Sequence, residues 1–166
     1  MIDKLENIIN QRPIGRHLMG LDVGTKMIGI ALCEGTHHVA TPHMTIQRKK
    51  FSKDIKAVEK VIREFDVGGY VVGYPINMDG SEGRKCQSVR DFAMEFERQL
   101  SPDLIVGDSP WIALWDERLS TATVENFVDE AVDMSKRRAK EKGIIDKLAA
   151  QFILQGALDY IQDHKF

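Results

Sequence analysis

Three acidic residues lie at positions where a carboxylate lowers stability unless it serves a function. Asp22 closes the apolar run of residues 18–23, and Glu117 follows the apolar run of residues 111–115. Asp146 lies on the apolar face of a predicted helix, because alanine, isoleucine and leucine recur three to eight residues after it. Carboxylates are rarely buried without a partner, and a divalent cation is a partner that several can share. The three acids therefore indicate a metal-dependent phosphoryl or phosphodiester site.

Each acid also has an ordinary structural explanation. Asp22 begins an Asp-Val-Gly-Thr sequence, which suits a hairpin turn. Glu117 can pair with the neighbouring Arg118, and Asp146 near a helix start can complement the helix dipole. The apolar neighbours of Asp146 favour the functional explanation for that residue.

Length and charge limit the class of protein. A chain of 166 residues with a net charge of -2 fits one globular domain, and it does not fit a protein that coats nucleic acid nonspecifically. No apolar stretch approaches the roughly 18 residues of a membrane span. The N-terminus lacks the features of a signal peptide, so we expect a cytoplasmic protein with no membrane partner. Cys33 and Cys86 are far apart in sequence, which favours two reduced thiols.

Two short basic clusters are candidate nucleic-acid contacts. Residues 135–142 carry five cations and one anion and lead directly to the helix of Asp146. A second cluster lies at residues 48–53. Either could be a solvated loop, but the first gains weight from its position before an acidic candidate. The residues assigned there to substrate backbone contact are Lys136, Arg137 and Arg138.

Periodicity and turn residues predict the elements. Residues 1–16 form an N-terminal helical extension with an amphipathic helix over 2–11, and residues 17–166 form the main domain. Strands are predicted at 17–23, 27–33, 39–47, 70–72 and 111–115, and helices at 51–65, 84–100, after Ser120 or Thr121, and at 144–162. This order predicts an α/β fold with a mixed five-stranded sheet and helices on both faces. Active groups then gather at the carboxyl ends of strands.

Four segments, in order along the chain, carry a family resemblance. They are residues 20–31 (GLDVGTKMIGIA), 72–83 (VGYPINMDGSEG), 116–121 (DERLST) and 145–155 (IDKLAAQFILQ). Together they resemble the YqgF/RuvX family, Holliday-junction-resolvase-like proteins also described as pre-16S rRNA nucleases. The resemblance covers residues 18–160, and four motifs in order are far more specific than one.

The resemblance implies a ribonuclease-H-like fold and divalent-metal-dependent cleavage of structured nucleic acid, in maturation of the 16S rRNA 5′ end. The implied catalytic and metal-binding residues are Asp22, Glu117 and Asp146. Residues implied on the substrate side are Thr25, Lys26, Asn77, Asp79 and Arg118. Two Mg²⁺ or Mn²⁺ ions would suit phosphodiester hydrolysis. The expected partners are pre-16S rRNA or branched DNA and a pre-ribosomal particle, with the protein a monomer or homodimer.

Other functions remain open beside this one. A Holliday-junction-type DNA resolvase and a noncatalytic RNA-binding ribosome assembly factor are the two alternatives. Actin-like kinases share the hairpin of residues 22–25, but they need a second domain for which this chain is too short. The chain departs from the family pattern before about residue 16, at residues 107–110, and at Tyr74, where a leucine is usual. None of these departures affects the three acids.

Overall fold

One mixed sheet crosses the part of the chain that the structure, a computed structural model, describes: residues 1–119 and 143–164. Its strands are β1 (Ile2–Lys4), β2 (His17–Val23), β3 (Met27–Cys33), β4 (Ala40–Gln47), β5 (Val67–Tyr74) and β6 (Trp111–Asp116). In space the order is β1-β6-β5-β2-β3-β4. The β2, β3 and β4 strands form an antiparallel meander, and β1, β6, β5 and β2 run parallel.

Helices cover both faces of the sheet, as the sequence predicts. Within residues 1–119 and 143–164, the α-helices are α1 (Leu5–Ile8), α2 (Phe51–Phe65), α3 (Arg84–Gln99) and α4 (Ile144–Asp163). The α2 and α3 helices pack on one face, and α1 and α4 pack on the other. Since β4, β5 and β6 follow one another through α2 and α3, these two helices are the crossovers that parallel strands require.

Alternation along each strand divides the core between the two faces. In β2, Met19 and Leu21 belong to the cluster beneath α2 and α3, whereas Leu18 belongs to the cluster beneath α4. All eight residues of β5 are buried, which is typical of a central parallel strand covered on both sides. Because Asp22 is an even-numbered residue of β2 like Leu18, it lies on the face that α4 covers.

The N-terminal segment differs from its prediction. The helix expected over residues 2–11 is wrong for its first three residues, which form β1 and pair parallel with β6 through Ile2–Ile112 and Lys4–Leu114. Without β1, β6 would expose a row of unpaired backbone groups. The sheet therefore has six strands in the described residues, one more than predicted. Only Leu5–Ile8 is α-helical there, followed by one 3₁₀ turn over Ile9–Gln11.

Some predicted elements lie outside the described residues. They are the helix after Ser120 or Thr121 and the basic run that holds Lys136, Arg137 and Arg138. In the described parts of the chain, no helix has the length and apolar character needed to cross a membrane.

Candidate active site

Asp22 lies near the carboxyl end of β2, between two glycines on the neighbouring strands. On β3, Gly29 is its register partner. On β5, Gly73 lies one residue beyond the Leu21–Val72 pair, so it borders Asp22 from the other side. Neither glycine has a side chain to fill the space on the α4 face. The partly buried carboxylate of Asp22 is thus flanked on both sides by glycines, which other segments can approach closely.

Glu117 occupies the space over Gly73. It begins a one-turn 3₁₀ helix immediately after β6, and β5 separates β6 from β2 in the sheet. A Cβ atom on Gly73 would lie 3.1 Å from the Glu117 Oε1 atom and 2.5 Å from the Ile153 Cδ1 atom. The Glu117 carboxylate therefore lies across the backbone of β5, in the direction of Asp22.

Asp146 reaches the same area from the other side, over Gly29. It belongs to the first turn of α4, and a Cβ atom on Gly29 would overlap the backbone carbonyl of Asp146. The helix start is held by Gly143, whose φ of 89° is in the left-handed region, and by a hydrogen bond from the Thr45 hydroxyl to the Gly143 carbonyl. Glycine at position 29 is what lets the first turn of α4 contact β3 beside Asp22.

The charges of the other two acids act on Asp22, whose carboxylate lies between them. Burial raises the pKa of Asp22 to about 6, and the negative charges of Glu117 and Asp146 add to the shift. Burial also raises the pKa of Glu117, with a further contribution from Asp116, while Lys85 opposes the shift. Although Glu117 is exposed as a whole residue, its carboxyl group lies against the β5 backbone, which explains the effect of burial. The pKa of Asp146 is raised mainly by burial.

The acids lack counter-ions in the described structure. Among residues 1–119 and 143–164, none of the three carboxylates forms an ion pair or a hydrogen bond with another side chain. The same residues contain no group of three or more histidine, cysteine, aspartate and glutamate side chains arranged to hold a metal ion. The acids thus lie at one end of the sheet without forming a ready coordination sphere.

A cleft of about 630 Å³ opens at this end of the sheet. Asp22 and Glu117 line one part of it, and Asp146 is not among its lining residues. The polar groups that line the rest are Thr25, Arg48, Arg84, Lys85 and Ser88. Of these, the sequence prediction includes only Thr25 as a site residue. Arg48 belongs to the basic cluster at residues 48–53, and the position of Arg84, Lys85 and Ser88 at a helix start directly after a glycine-rich loop is a signal that could have found those three.

Three residues predicted to lie on the substrate side have polar groups that bond to neighbouring residues of the chain. Arg118 forms an ion pair with Asp116 at 2.8 Å and donates to the carbonyl oxygen of Asn77 at 3.2 Å. The Asn77 amide donates to the Ser81 hydroxyl, and Asp79 accepts hydrogen bonds from the Ser81 amide and hydroxyl. These residues hold the loop after β5 in shape and connect it to the segment of Glu117.

The other predicted contacts fall in two places. Thr25 and Lys26 are exposed in the β2–β3 turn, where the Gly24 amide donates to the Met27 carbonyl at 2.9 Å. Thr25 lines the cleft and Lys26 does not. The remaining predicted contacts, in the basic run 135–142, lie outside the described residues.

Comparison with known proteins decides the family. Residues 16–160 match the family described as RuvX: Holliday junction resolvase. The chain belongs to the RuvX family. This agrees with the resemblance in the four sequence motifs, and it places the acids, the two glycines and the cleft within the matched residues.

Relatives of this RuvX chain carry a common name. A protein of Roseobacter denitrificans named "Putative pre-16S rRNA nuclease" is 45% identical over 150 residues, which cover 90% of this chain and 86% of the relative. A protein of Rhodobacter capsulatus with the same name is 48% identical over 142 residues, covering 86% and 82%.

A solved structure supports the fold. RuvC of T. thermophilus in complex with a Holliday junction substrate superimposes with a TM-score of 0.54 at 11% identity, covering 90% of this chain and 96% of RuvC. At that identity the likeness concerns the fold alone. The ribonuclease-H-like α/β fold is confirmed.

Proposed function

We propose that this RuvX protein is a divalent-metal-dependent nuclease that hydrolyses phosphodiester bonds of precursor 16S rRNA. The observation that carries the proposal is the placement of Asp22, Glu117 and Asp146 around two glycines, without a counter-ion among the described residues. The names of the relatives support the RNA substrate. The family description supports a branched nucleic acid as the general substrate class.

The donor set fits Mg²⁺ or Mn²⁺. Carboxylate oxygens are the ligands these ions prefer, and a pKa raised by burial and like charge means that a nearby cation would stabilise the ionised acids. Asp22 lies between Glu117 and Asp146 at this end of the sheet, and these three carboxylates would hold the ions. We expect the carboxylates to change rotamer on binding, since no three-residue site is formed among the described side chains as they lie.

The bound ions would supply an activated water and relieve charge on the leaving oxygen. The chain itself positions the substrate. Thr25 lines the cleft beside Asp22, so its hydroxyl is placed to donate to a phosphate oxygen, and Lys26 would contact the backbone from the same turn. We assign Arg118, Asn77 and Asp79 to holding the loop after β5 against the site. Lys136, Arg137 and Arg138 would contact flanking phosphates.

The decisive experiment is cleavage of a 16S precursor that bears its 5′ extension. Wild type is compared with Asp22→Asn, in Mg²⁺, Mn²⁺ or EDTA, and product 5′ ends are mapped. The matched control is Asp159→Asn, an exposed aspartate near the far end of α4. We expect Asp22→Asn to lose about 100-fold or more in rate, since each 1.4 kcal/mol of lost transition-state stabilisation costs a factor of about ten. Equal rates in the two variants would refute the assignment.

Two further measurements separate the alternatives. A four-way DNA junction in the same assay tests whether branched DNA is the better substrate. Binding of the precursor without cleavage under every metal condition would instead favour a noncatalytic assembly factor. Thermal melts give a readout independent of activity: Mn²⁺ at ten times its Kd should stabilise wild type by about 1.4 kcal/mol and Asp22→Asn by less.

A further inference from the structure

Besides the acids, the cleft is lined by cationic and hydroxyl side chains, here called the cationic wall. Arg84, Lys85 and Ser88 come from the start of α3, and Arg48 comes from the connection between β4 and α2. All four line the same 630 Å³ space as Asp22 and Glu117. Positive and negative groups thus face one cavity from different elements.

These opposite charges do not neutralise each other by direct contact. Within residues 1–119 and 143–164, Arg84 and Lys85 form no ion pair and no side-chain hydrogen bond. Lys85 acts on Glu117 through longer-range attraction, which lowers the pKa of that carboxyl group against the effect of burial. Arg84 and Lys85 are exposed side chains that line the cleft, so a ligand in the cleft can reach both of them. A ligand in the cleft can therefore contact both the acids and the unpaired cations.

Arg48 is held in this wall by contacts to three residues. Its Nη1 donates to the Gly24 carbonyl at 2.8 Å, its Nε lies 3.9 Å from Asp54 Oδ2, and its guanidinium lies 5.7 Å from the centre of the Phe92 ring. Asp54 is itself buried and accepts a hydrogen bond from the Lys49 amide. A guanidinium has five N–H donors, and the Gly24 carbonyl uses one. Arg48 therefore holds the β2–β3 turn and still has donors for a ligand.

We propose that Arg48, Arg84 and Lys85 form a subsite for a backbone phosphate next to the one that is cleaved. The inference rests on the proposed function, because it takes the acids as the reactive centre. Phosphate oxygens are the ligand that matches guanidinium and ammonium donors, and the hydroxyls of Thr25 and Ser88 add further donors. The substrate backbone then runs across the start of α3 toward Asp22.

The proposed subsite predicts how binding depends on whether the nucleic acid is RNA or DNA. Contacts to phosphate position the strand and read neither base nor 2′-hydroxyl. Loss of a cation from the wall should therefore weaken the binding of RNA and of DNA of the same sequence equally. Each lost phosphate contact should reduce the slope of log affinity against log salt by about 0.7–0.9.

The test measures binding of the full chain in EDTA, where metal-dependent cleavage does not occur. The probes are a fluorescent 16S-precursor fragment with its 5′ extension and a DNA of the same sequence, each over a range of salt concentrations. The variants are Lys85→Gln and Arg84→Gln. The matched control is Lys60→Gln, an exposed lysine of α2 that does not line the cleft. Thermal melts confirm that each variant is folded.

We expect each cleft variant to raise Kd about three- to tenfold on both probes and to flatten the salt slope, with the control at the wild-type value. A slope like that of Lys60→Gln, or a loss confined to RNA, would overturn the subsite. If the cleft variants flatten the salt slope but wild type does not cleave in metal, the proposed function is overturned and the three cations remain a phosphate-binding site. If Lys85→Gln cleaves the precursor and keeps the wild-type salt slope, the subsite is overturned and the proposed function stands. If wild type binds neither probe, the subsite and the proposed function are both overturned.

Discussion

Near the acids, β2, β3 and β5 present side chains of different size to the two faces of the sheet. Toward α2 and α3, the strands present large apolar side chains, namely Met19, Leu21, Ile28, Ile30, Tyr70 and Val72. Toward α4, the same strands present glycine at positions 20, 29 and 73. A Cβ atom on Gly20 would lie 2.7 Å from the Cβ of Leu154, so α4 approaches the sheet where no side chain intervenes.

The difference separates two tasks. Bulky side chains on the α2 and α3 face remove apolar area from water, which stabilises the fold. Glycines on the α4 face bury no side chain, but they allow a helix backbone to contact a strand. Asp146 and Glu117 can therefore approach Asp22 over Gly29 and Gly73. Substitutions on the two faces should therefore change different properties.

The largest effect is expected from Gly29→Ala. The added methyl group would overlap the Asp146 carbonyl, so the first turn of α4 must move. We expect overpacking to cost about 1–3 kcal/mol of stability. Misplacement of Asp146 by about 1 Å should cost about 100-fold in cleavage rate. Single-turnover cleavage and thermal melts measure both quantities.

Gly83→Ala is the matched control for that substitution. A Cβ atom at this position meets the Asn77 Nδ2 atom at 3.5 Å, an ordinary contact. We expect near-wild-type cleavage from it. Retention of full activity by Gly29→Ala would show that close approach of α4 is unnecessary for catalysis.

The next largest effect concerns pH and Asp22. Its folded pKa of about 6 lies above the unfolded value of 3.8, so the folded state binds the proton more tightly. Stability therefore falls as pH rises through this interval, and the penalty is complete above about pH 6. In EDTA, we expect the free energy of unfolding of Asp22→Asn to exceed that of wild type by about 2 kcal/mol at pH 8 and to equal it near pH 3.5. Urea melts across this range measure the difference; a constant difference at all pH values would contradict it.

The smallest effect is expected on the opposite face. Ile62 is 1% exposed in α2, and Ile62→Val removes one methylene from the large apolar cluster. We expect a loss of about 1 kcal/mol in unfolding free energy with unchanged cleavage per folded molecule. A drop in cleavage rate at a temperature where the variant is fully folded would show that the two faces are not separable.

The candidate site was predictable in part because its acids interrupt apolar patterns. Asp22 and Glu117 end strands, and Asp146 lies among apolar helix neighbours, so their positions are visible from period and spacing alone. Of the cationic wall, the sequence analysis includes Arg48 in the basic cluster at residues 48–53, but it predicts neither Arg84 nor Lys85 as a site residue. Arg48 and Lys85 are 37 positions apart in the printed sequence, and only the crossing of α3 over the end of the sheet places them in one cleft.

The N-terminal strand was missed for a related reason. Residues 2–11 have helical periodicity, but pairing with the edge of β6 satisfies backbone groups that a helix would leave exposed. The sequence pattern of residues 2–11 is local, so it does not show that the edge of β6 is available for pairing. Arg118 is similar: its type suggests a phosphate contact, and its ion pair with Asp116 depends on the turn after β6.

By itself, the sequence determined the element order, the mixed sheet with helices on both faces and the three acidic candidates, because periodicity and turn chemistry are local properties. Tertiary structure alone decided that Gly29 and Gly73 flank Asp22 and that Glu117 and Asp146 lie above them. It also decided which cations share the cleft. The physical reason is that strand register and helix approach depend on contacts between distant segments, and steric exclusion at a single Cβ atom determines whether those segments can meet.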